Sequence, residues 1–336
     1  MNITSTGFLA ILVDEGRKAV RHQGFTEAGA MDKHSFYLAN TLVGNSISAP
    51  AIEILIGRFE AILTCDLLVS VTGADCDIFV NDERFASNTP IFAAYGSKLL
   101  IVHKGKGARS YLAFSASINT SQFANSQTTC LSENNGGLEG NGNALSVSSK
   151  LDLRPKIKTS EINRRICVFN QHSKEILPLI TSSQVHPKQH YSLEFISAYQ
   201  SSLFTHLDFV RFCNQVYTVS SDSNRMGVRL HAKPLNTRHI DFGLLSEGMT
   251  LGAIQIMPNG LPTIMMQERQ TIGGYPKIGC LTPRSISKMG QCLPENSVEF
   301  KQTDLYSARQ EFLMHNRALK VLASVLKGNE KCLKST

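Results

Sequence analysis

The sequence reads AIEILIG at 51–57, FEAILT at 59–64 and LLVSVTG at 67–73, three short apolar runs separated by one or two residues. The series continues with DIFV at 77–80, PIFAAYG at 90–96, KLLIVH at 98–103 and SYLAFSA at 110–116. Short apolar runs that recur about every 8–12 residues are typical of an antiparallel sandwich or barrel. This stretch therefore predicts a mainly β domain.

Helical periodicity occurs in two places. SFYLANTLVG (35–44) carries apolar residues at a spacing of three to four, and Gly44-Asn45 stops the helix. The segment 304–328 has the pattern of an amphipathic helix that ends at Gly328. Asn81-Asp82 predicts a hairpin turn. Because strands and helices do not alternate and neither GxGxxG nor GxxxxGKS occurs, we predict no Rossmann fold and no nucleotide-binding loop.

The composition changes between 119 and 165, which is rich in Asn, Ser and Gly and includes SENNGGLEGNGN (132–143). We interpret this segment as a loop-rich linker. Beyond it, 206–220 is predicted to begin as a helix and end as a strand. Further strands are predicted at RICVFN (165–170), YSLEFIS (191–197), TIMMQ (263–267), KIGCLT (277–282) and SVEFKQ (297–302). The predicted organisation is an N-terminal β domain (1–118), the linker (119–165), a C-terminal β domain (166–303) and a helical tail (304–336).

Composition and charge exclude several classes of protein. The formal charge is +7 and the pI is about 9.0, but Lys and Arg are scattered, so we predict no nucleic-acid binding. The eight cysteines contain no CxxC pair and no His pair completes a zinc pattern, so no metal site is predicted. The start of the chain lacks a basic leader, and no run approaches the roughly 20 apolar residues of a membrane span. We expect a cytoplasmic protein with no membrane contact.

Polar residues are concentrated on two glycine-punctuated stretches. The first runs from Val13 to Asp32 and the second from Ser220 to Ile278. Each residue taken alone is more compatible with a turn or a local ion pair, but their density on loop-forming sequence favours function. Gly273-Gly274 lets backbone N–H groups approach a ligand closely, because no Cβ intervenes. Such donors suit an oxyanion or a bound carboxylate.

The motifs in these stretches resemble a known family. Three motifs lie near the start of the chain, between residues 14 and 45: DEGR, RHQG and AGAMDKHSFYLANTLVGN. Four more follow in order: LEGNGNAL, SNRMGVRL, LSEGMTLGAIQIMPNGLP and QTIGGYPKI. Together they resemble the KipA-type family of biotin-dependent carboxyltransferases, which includes the C subunit of 5-oxoprolinase and is also described as allophanate hydrolase subunit 2-like. The resemblance covers about residues 7–302. It implies two cyclophilin-like β-barrel domains with a few short helices and a C-terminal helix.

The resemblance also implies partners and a choice of reactions. It favours a subunit of an ATP-dependent 5-oxoprolinase, an amide-bond hydrolase that opens 5-oxoproline to glutamate and is active only with a KipI-like subunit and a further subunit. One alternative is a carboxyltransferase subunit that acts on a urea-like substrate. The other is a regulatory protein that binds a KipI-like partner without catalysis, which is favoured by Gln127 and Asn141 at positions where the family has Arg. This chain is expected to bind no cofactor itself. ATP is used by the complex, and biotin would come from another protein, because no biotin-accepting lysine context is present.

The motifs and the loop chemistry together predict one cleft that binds a small amide substrate. Arg17 and Arg225 would hold a carboxylate or polarise a carbonyl through the rigid guanidinium fork. Asp14 and Asp32 would orient these groups or handle a proton. The predicted catalytic residues are Asp14, Arg17, Asp32, Arg225 and Glu247, and the predicted substrate-binding residues are His22, Gln255, Gln270, Gly273, Gly274 and Lys277.

Overall fold

A computed structural model describes residues 1–181 and 190–328 of the chain. The chain divides into two compact units. Unit 1 comprises Met1–Arg17, Lys33–Gln184 and Leu313–Thr336, and unit 2 comprises Lys18–Asp32 and Val185–Phe312. The polar loop at 13–32 is therefore divided between the two units, and most of it belongs to unit 2.

Unit 1 is built from antiparallel strands. In chain order these are β1 (Asn2–Thr6), β2 (Leu9–Val13), β3 (Ala51–Leu55), β4 (Arg58–Ile62), β5 (Leu67–Gly73), β6 (Cys76–Val80), β7 (Glu83–Phe85), β8 (Pro90–Ala93), β9 (Lys98–His103), β10 (Arg109–Phe114), β11 (Ala116–Ile118) and β12 (Leu153–Pro155). They form two five-stranded sheets, in the orders β1-β4-β9-β6-β7 and β2-β3-β10-β5-β8, and a β11-β12 pair. Apolar side chains of both large sheets share one core.

The helix α1 (Lys33–Leu42) covers the outer face of β5. Alternate residues of this strand point to opposite sides. Val69 and Val71 lie in the core between the sheets, whereas the Ser70 and Thr72 hydroxyls donate to carbonyls of α1, at 2.7 and 2.6 Å. This explains why β5 is buried along its whole length. The predicted helix is confirmed, as is the hairpin turn, where Asn81 and Asp82 both have positive φ between β6 and β7.

The segment after β11 is irregular but firmly attached to β2. Thr129 N donates to Leu12 O at 2.8 Å, and Leu145 N donates to Ala10 O at 2.8 Å. After β12 comes α2 (Thr159–Thr181), so the predicted strand at 165–170 is wrong. Its apolar residues follow a helical period instead, because Ile162 and Phe169 are buried seven residues apart. Phe169 packs with apolar residues of α1 and of the C-terminal helix.

Unit 2 contains a closed barrel in the order β13-β20-β17-β18-β15-β14-β21. The strands of the unit are β13 (His190–Ser197), β14 (Tyr217–Val219), β15 (Gly227–His231), β16 (Glu247–Gly248), β17 (Ala253–Ile256), β18 (Pro262–Met265), β19 (Ile272–Gly273), β20 (Lys277–Leu281) and β21 (Ser297–Gln302). Its helices are α3 (His206–Cys213) and α4 (Pro283–Gly290). Outside the barrel, β16 and β19 form a separate two-stranded ribbon.

The loop at 18–32 is part of the barrel unit, since Met31 is 1% exposed and lies in the barrel core. The last helix, α5 (Leu305–Leu326), is confirmed close to its predicted bounds, and the predicted tail beyond residue 328 lies outside the described residues. The prediction of a mainly β chain with two β-rich bodies and a C-terminal helix is confirmed. Within the described ranges, no helix has both the length and the apolar character needed to cross a bilayer.

Candidate functional site

Strand pairing in unit 2 brings distant parts of the second polar stretch together. In the ribbon, Glu247 of β16 lies opposite Gly273 of β19. In the barrel, Gln255 of β17 is paired with Lys277 of β20. Because Lys277 follows Gly273 by only four positions, the ribbon and the barrel edge present their side chains in one neighbourhood. Four residues predicted for the site thus converge.

A hydrogen-bonded network connects Glu247 with Lys277. Lys277 Nζ donates to Glu247 Oε1 at 2.6 Å, and the Tyr199 hydroxyl donates to Glu247 Oε2. Gln200 Nε2 donates to the Tyr199 hydroxyl at 2.9 Å and to Glu247 Oε1 at 3.3 Å. Lys277 is 7% exposed, whereas Tyr199 is 74% exposed. The network therefore runs from the barrel edge to the surface.

Hydrogen bonds within this network shift the pKa of Glu247 and the pKa of Tyr199 in opposite directions. Hydrogen bonds from Lys277 and then from Tyr199 hold the pKa of the Glu247 carboxyl below its usual value. The hydrogen bond to Glu247 raises the pKa of the Tyr199 phenol. At neutral pH the network consequently contains an ionised carboxylate that accepts hydrogen bonds and a neutral phenol that donates one.

Two side-chain amides converge on Gly273. A Cβ at this position would lie 2.8 Å from Gln270 Nε2 and 3.3 Å from Gln255 Nε2, and it would also clash with Met249 Cε. Gly273 thus leaves room for both amides beside the ribbon. Gly274 has a similar reason to lack a side chain, because a Cβ there would lie 2.8 Å from Leu244 O. The Gln255, Gln270, Gly273, Glu247 and Lys277 group is called the ribbon site below.

The side chains of Arg225 and Asp32 form hydrogen bonds with other residues of unit 2. Arg225 Nε donates to Glu268 Oε1 at 2.6 Å, and Arg225 Nη2 donates to Gly29 O at 2.6 Å. Both members of this ion pair are buried, with 8% and 3% of their side chains exposed. Asp32 accepts from Gln291 Nε2 at 2.8 Å. These contacts attach the loop at 18–32 to the barrel.

Asp14 and Arg17 belong to unit 1. The Asp14 carboxylate accepts from Ser126 Oγ at 2.7 Å, from Gln127 N at 2.7 Å and from Gly16 N at 2.8 Å. Arg17 Nη1 donates to Glu133 Oε2 at 2.6 Å, and its guanidinium also bonds Asn135 and lies over the Phe123 ring. Arg17 is 2% exposed. In unit 1, these two residues hold the irregular segment after β11.

The residues predicted for one cleft are therefore divided between the units. His22 is exposed on a short 3-10 turn of the loop at 18–32, beside Gln23. Tyr199 and Gln200 join the ribbon site but were not predicted from sequence. They lie on a 3-10 turn directly after β13, and no motif marks them. Arg21, on the same turn as His22, was also passed over as a site residue, and its Nη2 donates to Thr271 O at 2.7 Å.

Comparisons with known proteins agree on one family. Residues 23–302 match the family described as carboxyltransferase domain, subdomain A and B. The C subunit of the 5-oxoprolinase of Escherichia coli strain K12 is 29% identical over 92% of this chain and 93% of its own length. The urea amidolyase of Lachancea kluyveri is 27% identical over 92% of this chain, which spans 17% of that protein.

A solved structure has the same fold. The urea amidolyase of K. lactis superposes with a TM-score of 0.83 at 22% identity, over 96% of this chain and 20% of that chain. The chain thus has about the length of the bacterial protein and corresponds to roughly a fifth of the amidolyase.

Proposed function

This chain belongs to the carboxyltransferase domain, subdomain A and B, family, and from that premise we propose that it is a subunit of an ATP-dependent 5-oxoprolinase. The complex opens 5-oxoproline to glutamate. The proposal is supported by the similarity to the C subunit of a 5-oxoprolinase along almost the full length of both proteins. The observation that carries the chemistry is the convergence of Glu247, Lys277 and Tyr199 with the two amides at Gly273.

The ribbon site suits a lactam. Opening the ring breaks the C–N bond, adds the hydroxyl of water to the carbonyl carbon and delivers a proton to the nitrogen. Lys277 would stabilise negative charge on the carbonyl oxygen. The Glu247 carboxylate would accept a proton from water, and the Tyr199 phenol would supply one to the leaving nitrogen. Gln255 and Gln270 would hold the planar amide group. ATP would be used on another subunit.

Apolar residues around the ribbon site support a role for partners. Leu245 is 91% exposed and Ile272 is 59% exposed, and both lie within two residues of the Glu247–Gly273 pair. Large exposed apolar side chains grouped near a polar site are characteristic of an interaction surface. We propose that this rim is covered by a KipI-like subunit and that a further subunit completes the enzyme. The cytoplasmic location remains a prediction.

A second function is favoured by a specific similarity. The Lachancea kluyveri relative is a urea amidolyase, and urea also presents a planar amide carbonyl. In that case the chain would be a carboxyltransferase subunit that receives its carboxyl group from biotin on another protein. A regulatory chain that binds its partner without turnover is the third outcome to be distinguished.

The assay that separates these functions uses the complex. The chain is purified together with the proteins that associate with it in cells, and glutamate release from 5-oxoproline is measured with and without ATP. We expect release of glutamate that depends on ATP. Biotin-dependent carboxylation of urea would replace the proposal by the carboxyltransferase function. Stable association without either reaction would indicate the regulatory role.

Gly273→Ala tests the amide pair. The added methyl would displace the amides of Gln255 and Gln270, so we expect kcat/KM of the complex to fall about 10- to 100-fold. The matched control is Gly248→Ala on the paired strand, where a Cβ meets nothing within 4 Å. Equal activity of the two variants would remove Gly273 from the site.

A further inference from the structure

Three buried cations of unit 2 are each paired with a carboxylate. Lys277 is bound by Glu247, Arg225 by Glu268, and Arg269 by Glu27 at 2.6 Å. Their side chains are 8%, 8% and 4% exposed. None of the three presents a fork of N–H donors to solvent. Lys277 is assigned above to the carbonyl oxygen, so a carboxylate on the same ligand would need another partner.

Arg21 has the required donors. Its Nη2 donates to Thr271 O at 2.7 Å, while its Nη1 lies 3.9 Å from Glu27 Oε2, beyond hydrogen-bond distance. A guanidinium has five N–H donors, so this one bond leaves most of them available. The side chain is 26% exposed. Arg21 is therefore anchored by one donor while its side chain remains partly exposed to solvent.

The local charge is suited to an anion. Glu27, the acid nearest to Arg21, is bound more closely by Arg269, at 2.6 Å. Arg21 and Arg269 contribute +2 and Glu27 contributes −1, which leaves a net charge of +1 on this trio. The nearby pair of Arg225 and Glu268 is neutral as a unit. The excess positive charge is on the accessible side chain.

The anchor places Arg21 next to the ribbon site. Thr271 directly follows Gln270 and precedes β19, and its carbonyl also accepts from Met249 N at 2.9 Å. Thr271 and Gly273 are two residues apart, roughly 7 Å along an extended strand. Because Arg21 Nη2 contacts the Thr271 carbonyl, the guanidinium lies close to the segment that carries Gln270 and Gly273.

We propose that Arg21 forms a carboxylate-binding subsite of the ribbon site. This inference rests on the proposed function, and it names the residue that would distinguish a lactam carrying a carboxylate from a neutral amide such as urea. The carboxylate is bound by the outer edge of the guanidinium, in the bidentate geometry that arginine favours. The lactam amide then lies against Gln255 and Gln270.

The test compares two ligands that differ by the carboxylate. Dissociation constants of 5-oxoproline and of 2-pyrrolidinone, the same lactam without a carboxylate, are measured for the full chain and for its complex. Arg21→Gln should weaken 5-oxoproline binding about 10- to 100-fold, because the glutamine amide can keep one of the two hydrogen bonds and the other, to a charged group, is lost. Binding of 2-pyrrolidinone should change less than about twofold. Arg21→Lys should restore only part of the loss, because a lysine lacks the planar fork.

Arg229→Gln is the matched control, since Arg229 is an exposed arginine of the same unit on β15. It should leave both constants unchanged. Equal losses for the two lactams in Arg21→Gln would overturn the subsite and indicate a loosened loop. A wild-type chain that binds both lactams equally would also overturn it. Because the readout is binding, the subsite is tested even where the complex fails to open 5-oxoproline, which would contradict the proposed function alone.

Discussion

Replacing Lys277 with Met is expected to lower kcat of the assembled enzyme about 100- to 1,000-fold, the usual effect of removing one charge-stabilising donor from a catalytic site. Lys277 is buried at the barrel edge and donates to Glu247 at 2.6 Å. Its loss removes both the ammonium that would face the carbonyl oxygen and the main partner of the carboxylate. The measurement is steady-state glutamate release at saturating 5-oxoproline and ATP.

The pH dependence gives this prediction a second readout. The Lys277 hydrogen bond is the largest influence that lowers the pKa of Glu247. A lowered pKa keeps the carboxylate ionised as the pH falls, so removing the lysine raises that pKa. The acid limb of the pH–rate profile should therefore move to higher pH in Lys277→Met. Lys233→Met, at an exposed lysine of the same unit, is the control. Wild-type kcat with an unmoved acid limb in Lys277→Met would contradict the role.

The strands of unit 1 could be predicted because their signals are local. Apolar runs between turn residues mark β3 to β6 and β8 to β10, and positive φ at Asn81 and Asp82 is what a two-residue hairpin requires. The helix α2 was mistaken for a strand, because RICVFN is too short a window to show a helical period. The seven-residue interval from Ile162 to Phe169 becomes informative once a packing partner is known.

The ribbon site was predicted in part. Glu247, Gln255, Gln270, Gly273 and Lys277 lie on motifs, and pairing of β16 with β19 and of β17 with β20 brings them together. That pairing is a long-range property that local sequence does not specify. Tyr199 has no motif, and it reaches Glu247 from 48 residues away.

The partners of charged loop residues were beyond prediction for the same reason. Arg17 binds Glu133, which is 116 residues away, and Arg225 reaches Gly29 across 196 residues. A high density of charged residues on a loop can indicate a functional site, or it can indicate ion pairs and hydrogen bonds that hold the loop in place. The sequence alone does not distinguish the two. The structure provides internal partners for both arginines, and their predicted contact with substrate stays a prediction.

Arg225→Met should lower the free energy of unfolding of the barrel unit by about 3–5 kcal/mol, because the Glu268 carboxylate would stay buried without its arginine. The Gly29 carbonyl would lose its donor in the same variant. Urea unfolding gives the global effect, and hydrogen exchange of the loop at 18–32 should show the local one. Arg229→Met, at an exposed position, should cost less than about 0.5 kcal/mol.

The double variant Arg225→Met/Glu268→Leu shows whether Arg225 holds the loop at 18–32 in place or contacts the substrate. Replacing both members of a buried ion pair by apolar residues often restores the lost stability, since no charge is left buried. If Arg225 acts by holding the loop, the double variant should recover stability and most of the activity together. If Arg225 contacts the substrate, stability should return while turnover stays low. Recovery of both would therefore assign Arg225 to the architecture of the loop and leave the chemistry to the ribbon site.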